Sequence, residues 1–142
     1  MNMKIKVYDK LPEDSKAIRE EVFVKEQGFQ EEFDTVDCRA VHFVAYDDSG
    51  VPIGTCRIFT EDSDEIYYLG RLAVLKDFRK LKVGSALLSS AEQSARAKGA
   101  EYIHLHSQLR AKQFYQKCGY HEFGEIELDE GCPHIWMKKR LN

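Results

Sequence analysis

The chain has 142 residues, with 21 Lys and Arg against 24 Asp and Glu for a formal net charge of −3; 43% of residues are hydrophobic and 32% charged. Such a chain is one domain by length and can bury its own core, which excludes a disordered or fibrous protein. Its charge balance gives no bias toward nucleic acid or an anionic membrane, so neither is expected as a partner. The opening "MNMKIKVYDK" lacks the apolar core and small-residue site of a signal peptide, and no apolar run is long enough to span a bilayer, so a cytoplasmic location is expected. Cys38, Cys56, Cys118 and Cys132 lie far apart without a C-x-x-C pair. The expectation is four reduced, mostly buried thiols, with no disulfide framework and no metal.

In chain order, Lys4–Tyr8 alternates in polarity as a strand does. "LPEDSKAIREEVFVKEQ" reads as one helix, with Pro12 suited to the first turn and Glu13 and Asp14 matching its positive end. Gly28 to Arg39 is acidic and aperiodic, a loop or a broken short helix. "AVHFVAY" and "PIGTCRIF" are strands flanking "DDSG", a hairpin signal. Glu61–Glu65 is an acidic turn, and Ile66–Val74 the next strand. Val83, Ala86, Leu87, Ser90, Ala91, Ser94 and Ala95 fall on one helical face of small residues that can lie close to a sheet, with Gly99 as the C-cap. Tyr102–His106 is a strand, Gln108–Cys118 a short helix stopped by Gly119, and Tyr120–Leu128 and His134–Leu141 are strands around "DEGCP". The order β-α-β-β-β-α-β-α-β-β predicts an α/β domain with a mixed, mostly antiparallel sheet, its strands parallel only around the Val83 helix.

The stretch "RKLKVG", Arg79 to Gly84, places three cations beside the start of that helix, where the helix dipole is already positive. A turn entering a helix also presents unsatisfied N–H groups. Two readings follow: an anion site, with Arg79, Lys80 and Lys82 near phosphate and Gly84 allowing close approach, or a charged surface turn. The P-loop and dinucleotide patterns, G-x-x-x-x-G-K-[ST] and G-x-G-x-x-G, are both absent.

The loop resembles the [QR]-x-x-G-x-[GA] motif of the GNAT superfamily of N-acetyltransferases, following a strand that ends "RLAV". Arg79 fills its first position and Gly84 its last, while Lys82 stands where the middle glycine is expected. "EEVFVKEQGF", "LGRLAVLKDFRKLKVGSALL", "AKQFYQKCGY" and "DEGCPHIWM" together resemble the ElaA/YjcF-type branch. The resemblance implies one acetyltransferase domain over residues 1–142, a central mixed, mostly antiparallel sheet flanked by helices and splayed where the donor enters.

The resemblance further implies acetyl transfer from acetyl-CoA to a primary amine within a ternary complex, with no acyl-enzyme. The acceptor expected is a small molecule, with a protein or peptide amine as the rival; a non-catalytic acyl-CoA sensor is the rival of a different class, and a homodimer is left open. By resemblance, the main chain of Leu72, Ala73 and Val74 would pair with the pantetheine arm. The turn holding Arg79, Lys80, Lys82, Val83, Gly84 and Ser85 would take the pyrophosphate, and Gly70 would sit at a bulge. Tyr115 occupies the place of the acid that protonates the departing thiolate. It also belongs to an apolar face with Ala111, Phe114 and Cys118, so a purely packing role stands beside the catalytic one. For the base, Glu26, Glu31, Glu32, His104, His106, His134 and water all remain open. Exposed acidic runs such as Glu31–Asp37 and Glu61–Glu65 are read as solvated faces.

Overall fold

The computed structural model describes residues 2–30 and 33–141. Seven strands, β1 (Lys4–Tyr8), β2 (Val41–Tyr46), β3 (Pro52–Thr60), β4 (Ile66–Val74), β5 (Tyr102–Gln108), β6 (His121–Asp129) and β7 (Cys132–Arg140), form one sheet in the order β1-β2-β3-β4-β5-β7-β6. Every neighbouring pair is antiparallel except β4 and β5. These two are joined through helix α2 (Val83–Ala97), the long crossover that a parallel return requires.

Helix α1 (Glu13–Arg19) covers one face of the sheet; α2 and the short α3 (Lys112–Lys117) cover the other. Within β2, Phe43 and Ala45 join the α2-side core while Val44 packs with Ile18 and Val22 of the α1 side, the two-residue period of a strand buried on both faces. The small-residue face of α2 does what its composition allows. Val83, Leu87, Ala91 and Ala95 are buried, and α2 comes so near β3 that a Cβ added to Gly54 would stand 2.9 Å from both Leu87 and Val83. Gly99, with φ +90°, ends the helix; the Ala100 N–H returns to the Ala95 carbonyl at 3.1 Å. At "DDSG", the Asp47 carboxylate accepts the Ser49 and Val51 N–H groups and closes the predicted hairpin.

Three expectations need correction. The helix read through Gln27 is α-helical only to Arg19, and Glu20–Glu26 is π-helical, with the Gln27 N–H reaching the Val22 carbonyl at 3.0 Å. Ile18, Val22 and Phe23 are spaced by four and five residues, and the wider winding keeps all three on the buried side. The β6–β7 loop is tighter than "DEGCP": Glu130 (φ 50°) and Gly131 (φ 78°) form a two-residue turn of the kind that matches strand twist, so Cys132 and Pro133 belong to β7. The four thiols are free, but only Cys56 is buried; Cys38 is exposed and the other two are intermediate.

Candidate active site

β4 and β5 pair only from Ile66–Leu69 to Tyr102–Leu105. Beyond that they part, and a cleft of about 800 Å³ opens between them. The β4 edge turned toward the gap keeps its main-chain groups free of strand pairing, while the other edge continues on β3 to Val74. The expected bulge is there, displaced by one residue. Thr55 pairs with Ala73 and Arg57 with Gly70, so Arg71 and Leu72 share the space opposite Cys56 alone, and the left-handed residue is Arg71 (φ 52°) rather than Gly70.

Arg71 joins the exposed edge of an ionic network whose centre is buried. Asp37, 4% exposed, receives two bonds from Arg19 (2.8 and 3.0 Å) and one from Arg57 (2.7 Å); Asp34 holds Arg57 (2.7 and 3.0 Å) and Arg71 (3.3 Å). Burial opposes the charge of Asp37, yet the Arg19 and Arg57 hydrogen bonds hold its carboxyl well below the usual carboxylate range. Asp34 is likewise lowered, chiefly by its hydrogen bond from Arg57. Asp34 and Asp37 are therefore not simply solvated charges: their ion pairs clamp the β3–β4 bulge. The D-x-x-D spacing carried the one available signal, since the Asp34 N–H donates to Asp37 at 3.1 Å across a short 3₁₀ turn; nothing local named the arginine partners.

The turn after β4 takes a left-handed geometry without a glycine. Lys82 adopts φ 61°, ψ 27°, the conformation for which glycine is the usual choice, and α2 begins directly after it with no side-chain cap. Lys80 and Lys82 are exposed, whereas Val83 is fully buried in the α2-side core. Gly84 has a packing reason of its own: a Cβ there would stand 3.3 Å from the Phe114 ring. Arg79 does not project freely. It donates Nε to the Val74 carbonyl (2.9 Å) and both terminal nitrogens to Glu26 (2.7 and 2.6 Å), which lowers the Glu26 pKa.

Of the expected donor-side residues, Leu72 and Arg79 line the cleft, together with Tyr115; Ala73, Val74, Lys80, Lys82, Val83, Gly84 and Ser85 do not. Tyr115 is 8% exposed and packed against Phe114 and Tyr120, so its two readings, packing and cleft lining, hold at once. Burial, with lesser contributions from Cys56 and Cys118, pushes its phenol well above the ordinary value.

The base candidates separate. Glu26 is outside the lining and tied to Arg79. His104 sits away from the cleft, among the rings of Tyr68, Tyr102 and Phe123. His106 and His134 line it, while Glu31 and Glu32 lie outside the described residues. Gln108, opposite His134 in the β5–β7 ladder, donates to Gln27 at 2.8 Å and ties β5 to the end of the π-helical segment. Among the described residues, no group of three His, Cys, Asp or Glu is placed to hold a metal, and no helix is long and apolar enough to cross a membrane.

A sheet splayed after four parallel pairs, with an uncapped helix following the open strand, is the arrangement expected of the acetyltransferase class. Residues 9–141 match the family described as acetyltransferase (GNAT) domain. The uncharacterized N-acetyltransferase YjcF of Bacillus subtilis is 39% identical over 129 residues, covering 89% of this chain and 90% of YjcF. A crystal structure from Lactobacillus plantarum superposes with a TM-score of 0.90 at 31% identity, covering 99% of both chains; Escherichia coli ElaA does so at 0.86 and 23%, over 97% of this chain and 99% of ElaA. The chain belongs to the GNAT acetyltransferase family, in its ElaA/YjcF branch, and is an acyl-CoA-dependent N-acetyltransferase.

Proposed function

We propose that this enzyme moves the acetyl group of acetyl-CoA directly to the primary amine of a small molecule. The open β4 edge, leading from the cleft to the uncapped start of α2, is the observation that carries the reading. Leu72, Ala73 and Val74 would offer main-chain groups to the pantetheine arm as an added strand does. The N–H groups of Val83, Gly84 and Ser85, with Arg79, Lys80 and Lys82 beside them, would take the pyrophosphate. The cleft volume of about 800 Å³ suits the reactive end of the donor and a small acceptor.

Tyr115 would protonate the departing thiolate. The upward shift of its phenol by burial keeps the proton in place at neutral pH, the state an acid needs. Cys56 does not suit a covalent route, because full burial pushes its thiol up and disfavours the thiolate. Direct attack by the amine is the simpler chemistry.

The test is release of free CoA over a panel of amines by the parent and by Tyr115→Phe. Acetyl-CoA binding should survive the substitution while turnover falls ~10²–10⁴-fold. Unchanged turnover would remove Tyr115 from the mechanism, and turnover with peptide amines alone would reject the small-molecule acceptor.

A further inference from the structure

Resting on that reading, we propose that His134 is the group that takes the proton from the acceptor's ammonium, with His106 as the residue that positions its ring. His134 is 6% exposed, lines the cleft, and directs Nδ1 to the Cys132 carbonyl at 2.8 Å. A carbonyl oxygen only accepts, so Nδ1 carries the hydrogen and the neutral ring keeps its lone pair on Nε2. No described residue hydrogen-bonds that Nε2. Because Cys132 and His134 are two residues apart on β7, the strand itself sets the tautomer.

The ring of His106 packs against both His134 (centroids 4.9 Å apart) and Trp136 (4.6 Å, nearly parallel), and this stack limits how the His134 ring can turn. His106 is not itself well placed to be the base, since its Nε2 is buried, makes no hydrogen bond and stands 3.3 Å from the Glu127 carboxylate rather than open to the cleft. The charged and titratable surroundings of His134 are His106 on β5, Glu127 and Asp129 on β6, Glu130 in the turn, Arg110 and Tyr115 from the α3 side, and Arg71 across the cleft. Of the three carboxylates among the described residues of the lining, Asp34 is held by Arg57, Glu130 accepts the Gln30 N–H, and Asp129 is exposed at the end of β6.

The proton count closes. Nε2 of His134 takes one hydrogen from R–NH₃⁺, and the freed lone pair forms the N–C bond to the thioester carbon. The C–S pair leaves on sulfur, which takes the Tyr115 proton; a second hydrogen from the nitrogen restores the phenol. His134 then passes its proton to water, one per turnover.

The test is kcat/KM against pH for the parent, His134→Gln and His106→Asn, using amines of different basicity, with acetyl-CoA binding by calorimetry as the control. The parent should show an acidic limb that does not move with the amine. His134→Gln should lose that limb and ~10²–10⁴-fold in kcat while binding acetyl-CoA as before. His106→Asn should keep a displaced limb and lose more in kcat than in KM. A limb that persists in His134→Gln, or tracks the acceptor's own pKa, overturns the inference and leaves the transferase reading standing; a parent that binds no acetyl-CoA overturns that reading instead. Independently of any variant's folding, ¹⁵N shifts of the parent's His134 ring should report hydrogen on Nδ1, and hydrogen on Nε2 would refute the assignment.

Discussion

Arg79 and Glu26 stand 53 residues apart in the chain and meet in a two-pronged ion pair of 2.7 and 2.6 Å. One belongs to the turn before α2, the other to the end of the π-helical segment, so the pair joins these two stretches across the mouth of the sheet. Both side chains are more than a third exposed. Such a pair is worth little in stability; under the proposed donor site, a phosphate would compete with a carboxylate for the same guanidinium.

Glu26→Gln should therefore tighten acetyl-CoA binding. The gain expected is ~2–5-fold at low salt, the scale of an exposed ion pair, and it should shrink as ionic strength rises. Calorimetry at two salt concentrations reads both effects. Weaker binding in the variant would mean that Glu26 orients Arg79 for the donor rather than competing with it.

Lys82→Gly separates backbone from charge at one position. Glycine adopts the left-handed conformation without the Cβ penalty, so the variant should gain about 0.5–1 kcal/mol of stability in urea unfolding. It should also bind acetyl-CoA several-fold more weakly at low salt through loss of the cation, an effect that salt erases. Unchanged affinity at low salt would take Lys82 out of the phosphate site.

Asp37→Asn should cost about 3–5 kcal/mol, since it leaves Arg19 and Arg57 buried with too little compensating charge. A urea midpoint close to the parent's would contradict this.

The same cluster sets an acid dependence. Asp34 and Asp37 have folded pKa values below their unfolded ones, so the folded state binds fewer protons. Their contribution is complete above an unfolded carboxylate pKa of ~3.9 and is lost progressively as pH falls through and beneath it. Urea midpoints between pH 6 and pH 3 should fall more steeply for the parent than for Asp37→Asn. Parallel curves would place the acid sensitivity elsewhere.

What the sequence determined by itself is local. The spacing of Val83, Leu87, Ala91 and Ala95, the Gly99 cap, the "DDSG" hairpin and the alternation of the strands each arise within one turn or one hairpin, where periodicity and turn chemistry act directly. The crossover between β4 and β5 followed from these, and so did the place of Tyr115 on the apolar side of its helix. The tertiary structure decided which distant groups meet: Arg79 with Glu26, Asp37 with Arg19 and Arg57, His134 against His106 and facing a cleft. Side-chain charge fixes only that a buried arginine needs a carboxylate, not which one, because the choice depends on strand order and on the bulge at Arg71. The left-handed Lys82 belongs to the same class. Its own preference is against that backbone, and the packing of α2 onto β3 beside Gly54 holds it there.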